Sequence, residues 1–343
     1  MLFKEYINIK SLILHQIGSN TCQEGINYSE KLLSVDVDLK ELLKHHFLNP
    51  FKTDEVYQFI HSSDICLNEI YQYVTQIFYK QTDFLEVSKK IATYLYECSC
   101  HPNIKRGELY VVYFENCILD GDTIDAVGIF KSENKDKFIK IYTTENGFKI
   151  EQNEGISISK IDKGCIIFNK EQKDGYVVTV VDNTNKGTEA KYWTEDFLHI
   201  RPKKNSFNQT QNMLSLCKSF VSQLPSDNGK VEKATYMNRS VEALKEESVN
   251  INTFAEQVFE VPELVSEFKQ YKETYLRKRD IEIDDTFETA SSAIKRRATG
   301  TMTTIKLDKN FDINIHGGEQ NIMRGYDEER GMYYYQLFFK EEK

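Results

Sequence analysis

Apolar positions recur along this chain with two periods, and the places where the period changes mark the elements. From Ile7 to Ile17 apolar and β-branched residues alternate with polar ones until Gly18-Ser19-Asn20, the pattern of a strand closed by turn residues. The spacing then lengthens. Asp36-Val37-Asp38 opens a short helix that Asn49-Pro50 stops near Leu48. Leu67, Ile70, Val74, Ile77 and Phe78 share one helical face behind a cap at Ser63 or Asp64. Phe84, Val87, Ile91 and Leu95 do the same after Asp83 and Glu86, whose spacing fits a capping box. The tyrosines among them, Tyr71, Tyr73, Tyr79, Tyr94 and Tyr96, are expected to serve packing.

From Gly107 the period returns to two. Runs at Glu108–Phe114, Ile124–Lys131, Lys137–Tyr142 and Gly147–Ile150, separated by turn residues such as Asp120-Gly121-Asp122 and Glu145-Asn146-Gly147, predict an antiparallel sheet. Ile166–Phe168 and Tyr176–Val181 extend it to about six strands, and the alternation of Ile156, Ile158 and Ile161 reads as a further strand. Tyr192, Trp193, Phe197 and Leu198, which include the single tryptophan, read as an apolar seam where one half of the chain closes and the next begins.

After Arg201-Pro202-Lys203-Lys204 the period is helical again. Met213, Leu214, Cys217, Phe220 and Val221 form one face; Val241 and Leu244 sit on a second helix; Pro262 opens a third with Leu264, Phe268, Tyr271 and Tyr275 aligned. Ser226-Asp227-Asn228-Gly229 reads as a linker, and Phe287 to Ala298 as a helix capped by Thr286 and closed by Gly300. The end is β: Thr303–Leu307, Phe311–Ile315, and a hairpin from Met323 to Phe339 turning at Asp327 to Gly331. The expected fold is therefore α+β. N-terminal helices pack on a mostly antiparallel sheet in residues 1–202, and a helical segment ending in a small antiparallel sheet fills residues 203–343.

A chain of 343 residues is long enough for two cores. No stretch approaches the apolar length of a membrane span and no signal peptide opens the chain, so a cytoplasmic protein is expected. Seven cysteines without a Cys-x-x-Cys pair read as reduced thiols. The net charge of −9 argues against coating DNA by bulk electrostatics. The acidic excess lies in the first 200 residues, whereas between 201 and 300 cations and carboxylates nearly balance. Any nucleic-acid face is thus local.

Motif chemistry is sparse. There is no glycine-rich phosphate loop, no nucleophile elbow and no His-Glu-x-x-His. Ser157 and Lys160 have Ser-x-x-Lys spacing on a strand-like stretch, the wrong setting for that chemistry. His45-His46 and Cys98, Cys100 and His101 lack the second ligand pair that zinc requires. Asp120, Asp122, Asp125, Lys131 and Glu133 carry the letters of a metal-dependent nuclease, but hairpin turns and outer sheet faces use the same residues. No catalytic residue, metal ligand or cofactor is assigned. The anion-binding candidates are Arg277-Lys278-Arg279 and Lys295-Arg296-Arg297, each ending a predicted helix, together with Lys203 and Lys204.

The chain also resembles the bacterial nucleoid-associated proteins of the NdpA type. The resemblance is carried by Leu12–Gly18, Lys105–Leu109, Gly128–Glu133, Ile161–Phe168, Ala190–Leu198, Ile305–Ile313 and Arg324–Glu328, in that order. It implies a cytoplasmic protein at the nucleoid that binds DNA and has no catalytic activity. Duplex DNA held by a local basic patch, a homodimer and a possible protein partner are the expected associations. A metal-dependent nuclease, or a protein-interaction module of a phage-response system, is the alternative.

Overall fold

The computed structural model describes residues 6–51, 54–145, 147–184, 192–225, 229–279, 281–298, 304–314 and 321–341. The chain forms two compact units, Met1–Lys203 and Lys204–Lys343.

The first unit contains β1 (Asn8–Ile17), β2 (Ile26–Asn27), α1 (Val37–Leu48), β3 (Tyr57–Phe59), α2 (Glu69–Tyr79) and α3 (Phe84–Cys98). It continues with β4 (Gly107–Leu119), β5 (Asp122–Ser132), β6 (Asp136–Thr144), β7 (Gly147–Gly155), β8 (Lys163–Phe168), β9 (Val177–Asp182) and β10 (Ile200–Pro202). Eight strands make one antiparallel sheet in the order β10-β3-β9-β8-β5-β4-β1-β2. Both of its faces are covered. Leu109, Val111, Val127, Ile129, Cys165 and Ile167 point to α2 and α3, whereas Val112, Phe114, Phe130, Ile166 and Phe168 meet Phe47 and Leu48 at the end of α1. Two covered faces explain why every residue of β8 is buried, and why Cys165–Phe168 reads as a continuous apolar run.

Helix α1 begins where the sequence predicts, with the Asp36 carboxylate accepting from Leu39 N at 2.8 Å. Other boundaries move. Asp64 caps only a short 3₁₀ turn, Ile65–Leu67, and α2 is capped by Asn68, which leaves Leu67 off the buried face. Asp83 precedes α3 without capping it, because Gln76 Nε2 (2.9 Å) and the Lys80 ammonium (3.7 Å) hold its carboxylate. The Ile156–Ile161 stretch is a turn, not a strand. Strands β6 and β7 pair only with each other and leave the main sheet, exposing Ile139, Ile141, Phe148 and Ile150 on one face of a two-stranded ribbon. Tyr192–Phe197 forms a π-helical turn in which Trp193 is fully buried and lies 4.9 Å from the Phe197 ring. The expected seam is therefore part of the first unit's own core.

The second unit contains α4 (Ser206–Gln223), α5 (Gly229–Ala243), β11 (Ser248–Asn250), α6 (Ile251–Phe259), α7 (Pro262–Arg279), β12 (Thr286–Glu288) and α8 (Ser291–Ala298). The hairpins β13 (Thr304–Leu307) with β14 (Phe311–Asn314) and β15 (Ile322–Asp327) with β16 (Met332–Leu337) follow. Most of the expected linker, residues 226–228, lies outside the described residues, as do Gly300, Thr303 and Ile315. The helix expected from Phe287 is shorter. Thr286–Glu288 pairs with Ser248–Asn250, which buries Phe287 beside Val249, and α8 starts only at Ser291. Helix α6 is not among the helices expected from the sequence, although Ile251, Phe254, Ala255, Val258 and Phe259 form one buried face behind an Asn250 cap.

Candidate nucleic-acid interface

The expected basic residues fall into three settings. Lys203 forms an ion pair with Glu171. Lys204 lies 2.7 Å from Asp284 and 3.3 Å from Glu282, and these two carboxylates hold its ammonium pKa above the ordinary value. Both lysines are thus matched by negative charge. Arg277, Lys278 and Arg279 form the last turn of α7 and are exposed. Among the described residues no carboxylate pairs with any of the three; Arg279 instead lies 4.6 Å over the Tyr275 ring. Lys295 is exposed on α8, and the side chains of Arg296 and Arg297 lie outside the described residues.

The cations at the end of α7 meet the carbonyl end of the helix dipole, and three consecutive positions fan around the axis. Exposed guanidinium groups without carboxylate partners can release counterions when they meet phosphate.

A further cationic site came from residues that sequence runs do not flag. Lys230 of α5, Lys306 of β13 and Arg324 of β15 line one cavity of 640 Å³ with Phe311, Tyr333 and Tyr335. Each cation is isolated in sequence, so no charge run announces the group. The one local signal in the sequence is the run of consecutive tyrosines Tyr333, Tyr334 and Tyr335.

The letters of the nuclease alternative separate in space. Asp120 and Asp122 pair with Lys170 at 3.8 and 2.8 Å, while Asp125 accepts from the Tyr113 hydroxyl at 2.6 Å. Glu133 is buried in an ion network. Lys131 Nζ reaches its Oε1 at 2.9 Å, Lys163 Nζ reaches its Oε2 at 3.3 Å, and the Tyr192 hydroxyl donates to Oε1 at 3.2 Å. Lys163 also meets Asp182 at 3.4 Å, and Lys131 donates to the Lys105 carbonyl at 2.9 Å. Burial lowers the Lys131 pKa against the pull of Glu133. Two lysines and two carboxylates neutralise one another here and tie β5, β8 and β9 to the π-helical turn.

Among the described residues no three His, Cys, Asp or Glu side chains gather as a metal site. His45 is exposed and His46 buried on α1, where His46 Nδ1 bonds the Ile158 carbonyl at 2.9 Å. Cys98 donates to the Asp196 carbonyl at 3.4 Å.

The family model for the nucleoid-associated protein YejK matches residues 13–332. The chain belongs to this family. Its span takes in the sheet, the ion network, the helices of the second unit and most of the terminal hairpins. A comparison with curated protein sequences returns no match. Family membership assigns the chain a nucleoid-associated role. No described helix is long and apolar enough to cross a membrane.

Proposed function

We propose that this nucleoid-associated chain binds duplex DNA directly, through a local basic patch, and performs no catalysis on it. The observation that carries the proposal is the exposed Arg277-Lys278-Arg279 turn, which has no carboxylate partner among the described residues of an otherwise acidic chain. Lys295, Arg296 and Arg297 are a second basic group in the proposal. Lys203 and Lys204 contribute less, since Glu171, Asp284 and Glu282 offset their charge. The absence of catalysis is supported by the separate engagements of Asp120, Asp122, Asp125 and Glu133. In this proposal the protein acts in the cytoplasm as a homodimer, because a second copy doubles a small patch and raises its avidity.

A gel-shift titration of duplex DNA at two salt concentrations, with magnesium present, tests binding and cleavage together. The expected result is salt-sensitive binding with intact DNA. Arg277→Glu with Arg279→Glu should weaken binding and flatten the slope of log affinity against log salt by about 0.9 for each lost phosphate contact. An unchanged slope would remove the patch, and cleaved DNA would revive the nuclease alternative.

A further inference from the structure

The cavity between the terminal hairpins has a composition distinct from the α7 patch. Its 640 Å³ are bounded by ring faces as well as by cations. Phe311 and Tyr333 are 68% and 65% exposed, although large aromatic rings usually seek burial. The β15–β16 register places Arg324 opposite Tyr335 and Tyr326 opposite Tyr333, so these four residues share one face of the hairpin. Tyr335 is partly buried against Ala234 and Ile305, which anchors that face to α5 and β13. The Arg324 guanidinium lies 4.0 Å from the centre of the Tyr333 ring, and the Lys230 ammonium donates to the Lys306 carbonyl at 3.3 Å. Asp308 also borders the cavity, but among the described residues no carboxylate pairs with Lys230, Lys306 or Arg324.

Two exposed rings, Phe311 and a Tyr333 that carries the Arg324 guanidinium on one side and has the Tyr326 ring at 4.9 Å, beside cations without carboxylate partners among the described residues, suit a ligand that is flat and apolar in one part and anionic in another. A nucleotide has both parts, the base for the rings and the phosphate for the cations. In a duplex the base faces are stacked on one another and only edges and backbone are presented. Phe311 and Tyr333 therefore have little to offer paired DNA.

We infer that this cavity binds unpaired nucleotides of single-stranded DNA, with bases stacked on Phe311 and Tyr333 and phosphates met by Lys230, Lys306 and Arg324. The inference rests on the DNA-binding proposal above and adds to it a second site, selective for strand that has lost its partner. At a nucleoid such strand arises wherever the duplex is opened.

Fluorescence anisotropy of the full chain against a labelled oligothymidylate, an abasic strand of equal length and a duplex of equal length tests it. Phe311→Ala and Tyr333→Ala should each weaken single-strand binding by roughly tenfold, the order expected for one base–aromatic stack, and leave the duplex affinity unchanged. Tyr333→Phe should keep the affinity, since the ring remains. The abasic strand should bind the parent chain about as weakly as oligothymidylate binds the alanine variants. Equal losses on single strand and duplex, or no loss on either, would overturn the stacking site. Duplex binding without any single-strand binding by the parent chain would overturn this inference alone, whereas no binding to either DNA would overturn the DNA-binding proposal as well.

Discussion

Replacing Glu133 with Gln is expected to destabilise the first unit by about 3–5 kcal/mol, the range for removing one partner of a buried ion pair. Glu133 is the only carboxylate in contact with both buried lysines among the described residues, and the side chains of Lys131 and Lys163 have no exposed surface. An amide would keep one acceptor but turn an N–H toward an ammonium. Lys163 would retain Asp182, while Lys131 would keep at most neutral acceptors, the Lys105 carbonyl and the new amide oxygen, with no negative charge in contact. Its charge would then be buried almost unopposed. Urea denaturation of the variant measures the loss. The double variant Lys131→Met with Glu133→Gln provides the decisive comparison, because it restores one lysine to one carboxylate and should recover part of the loss. If the double variant is as unstable as the sum of the two single variants, the ions do not act as a coupled network.

The second large effect follows pH. His15 lies in β1, almost fully buried, with its ring edge to Tyr28. Its Nδ1 accepts from Ser29 N at 3.1 Å, which fixes the proton of the neutral ring on Nε2 and lets it donate to Ser88 Oγ at 2.9 Å. The Ser88 hydroxyl in turn donates a hydrogen bond to the Leu85 carbonyl at 2.6 Å. Burial, assisted by the Lys89 ammonium and opposed by Glu30, pushes the His15 pKa down to about 4. In the unfolded chain the imidazole takes its proton near pH 6.5. Between those two values the unfolded state binds more protons than the native state, so acid favours unfolding. The contribution is fully present above pH 6.5 and is lost as the pH falls toward 4, by about 3 kcal/mol in all. Denaturation midpoints at pH 7 and pH 4.5 check it. His15→Gln, which never ionises, should show a smaller difference between the two pH values whatever its stability at pH 7. An equal difference would assign the acid sensitivity to other groups.

Both predictions concern polar groups whose letters were visible and whose partners were not. Lys131 and Glu133 are two residues apart and read as charged positions on an outer sheet face; coverage of that sheet on both faces puts them inside. His15 reads as one polar position in an alternating strand, and only the approach of α3 supplies Ser88. The same holds for the basic residues. Lys203-Lys204 and Arg277-Lys278-Arg279 look alike as charge runs, yet the first pair is matched by carboxylates and the second group is not.

What the sequence determined by itself was whatever depends on neighbours within a few residues. The Asp36 cap, the α3 and α4 faces, the β4–β5 hairpin and the α+β class follow from local periodicity and turn chemistry, and the order of local signatures carried the family resemblance. What only the tertiary structure decided depended on long-range pairing. It made Thr286–Glu288 a strand, because Val249 and Phe287 could be buried together, although their residues precede a helix. It turned β6–β7 out of the sheet, because β8 took the place beside β5. It buried an ion network between strands, and it brought Lys230, Lys306, Arg324 and two exposed rings to one cavity. Backbone geometry is fixed by short-range sterics and hydrogen bonding, whereas burial and ion pairing are fixed by which distant surfaces meet, and no local window of sequence contains that information.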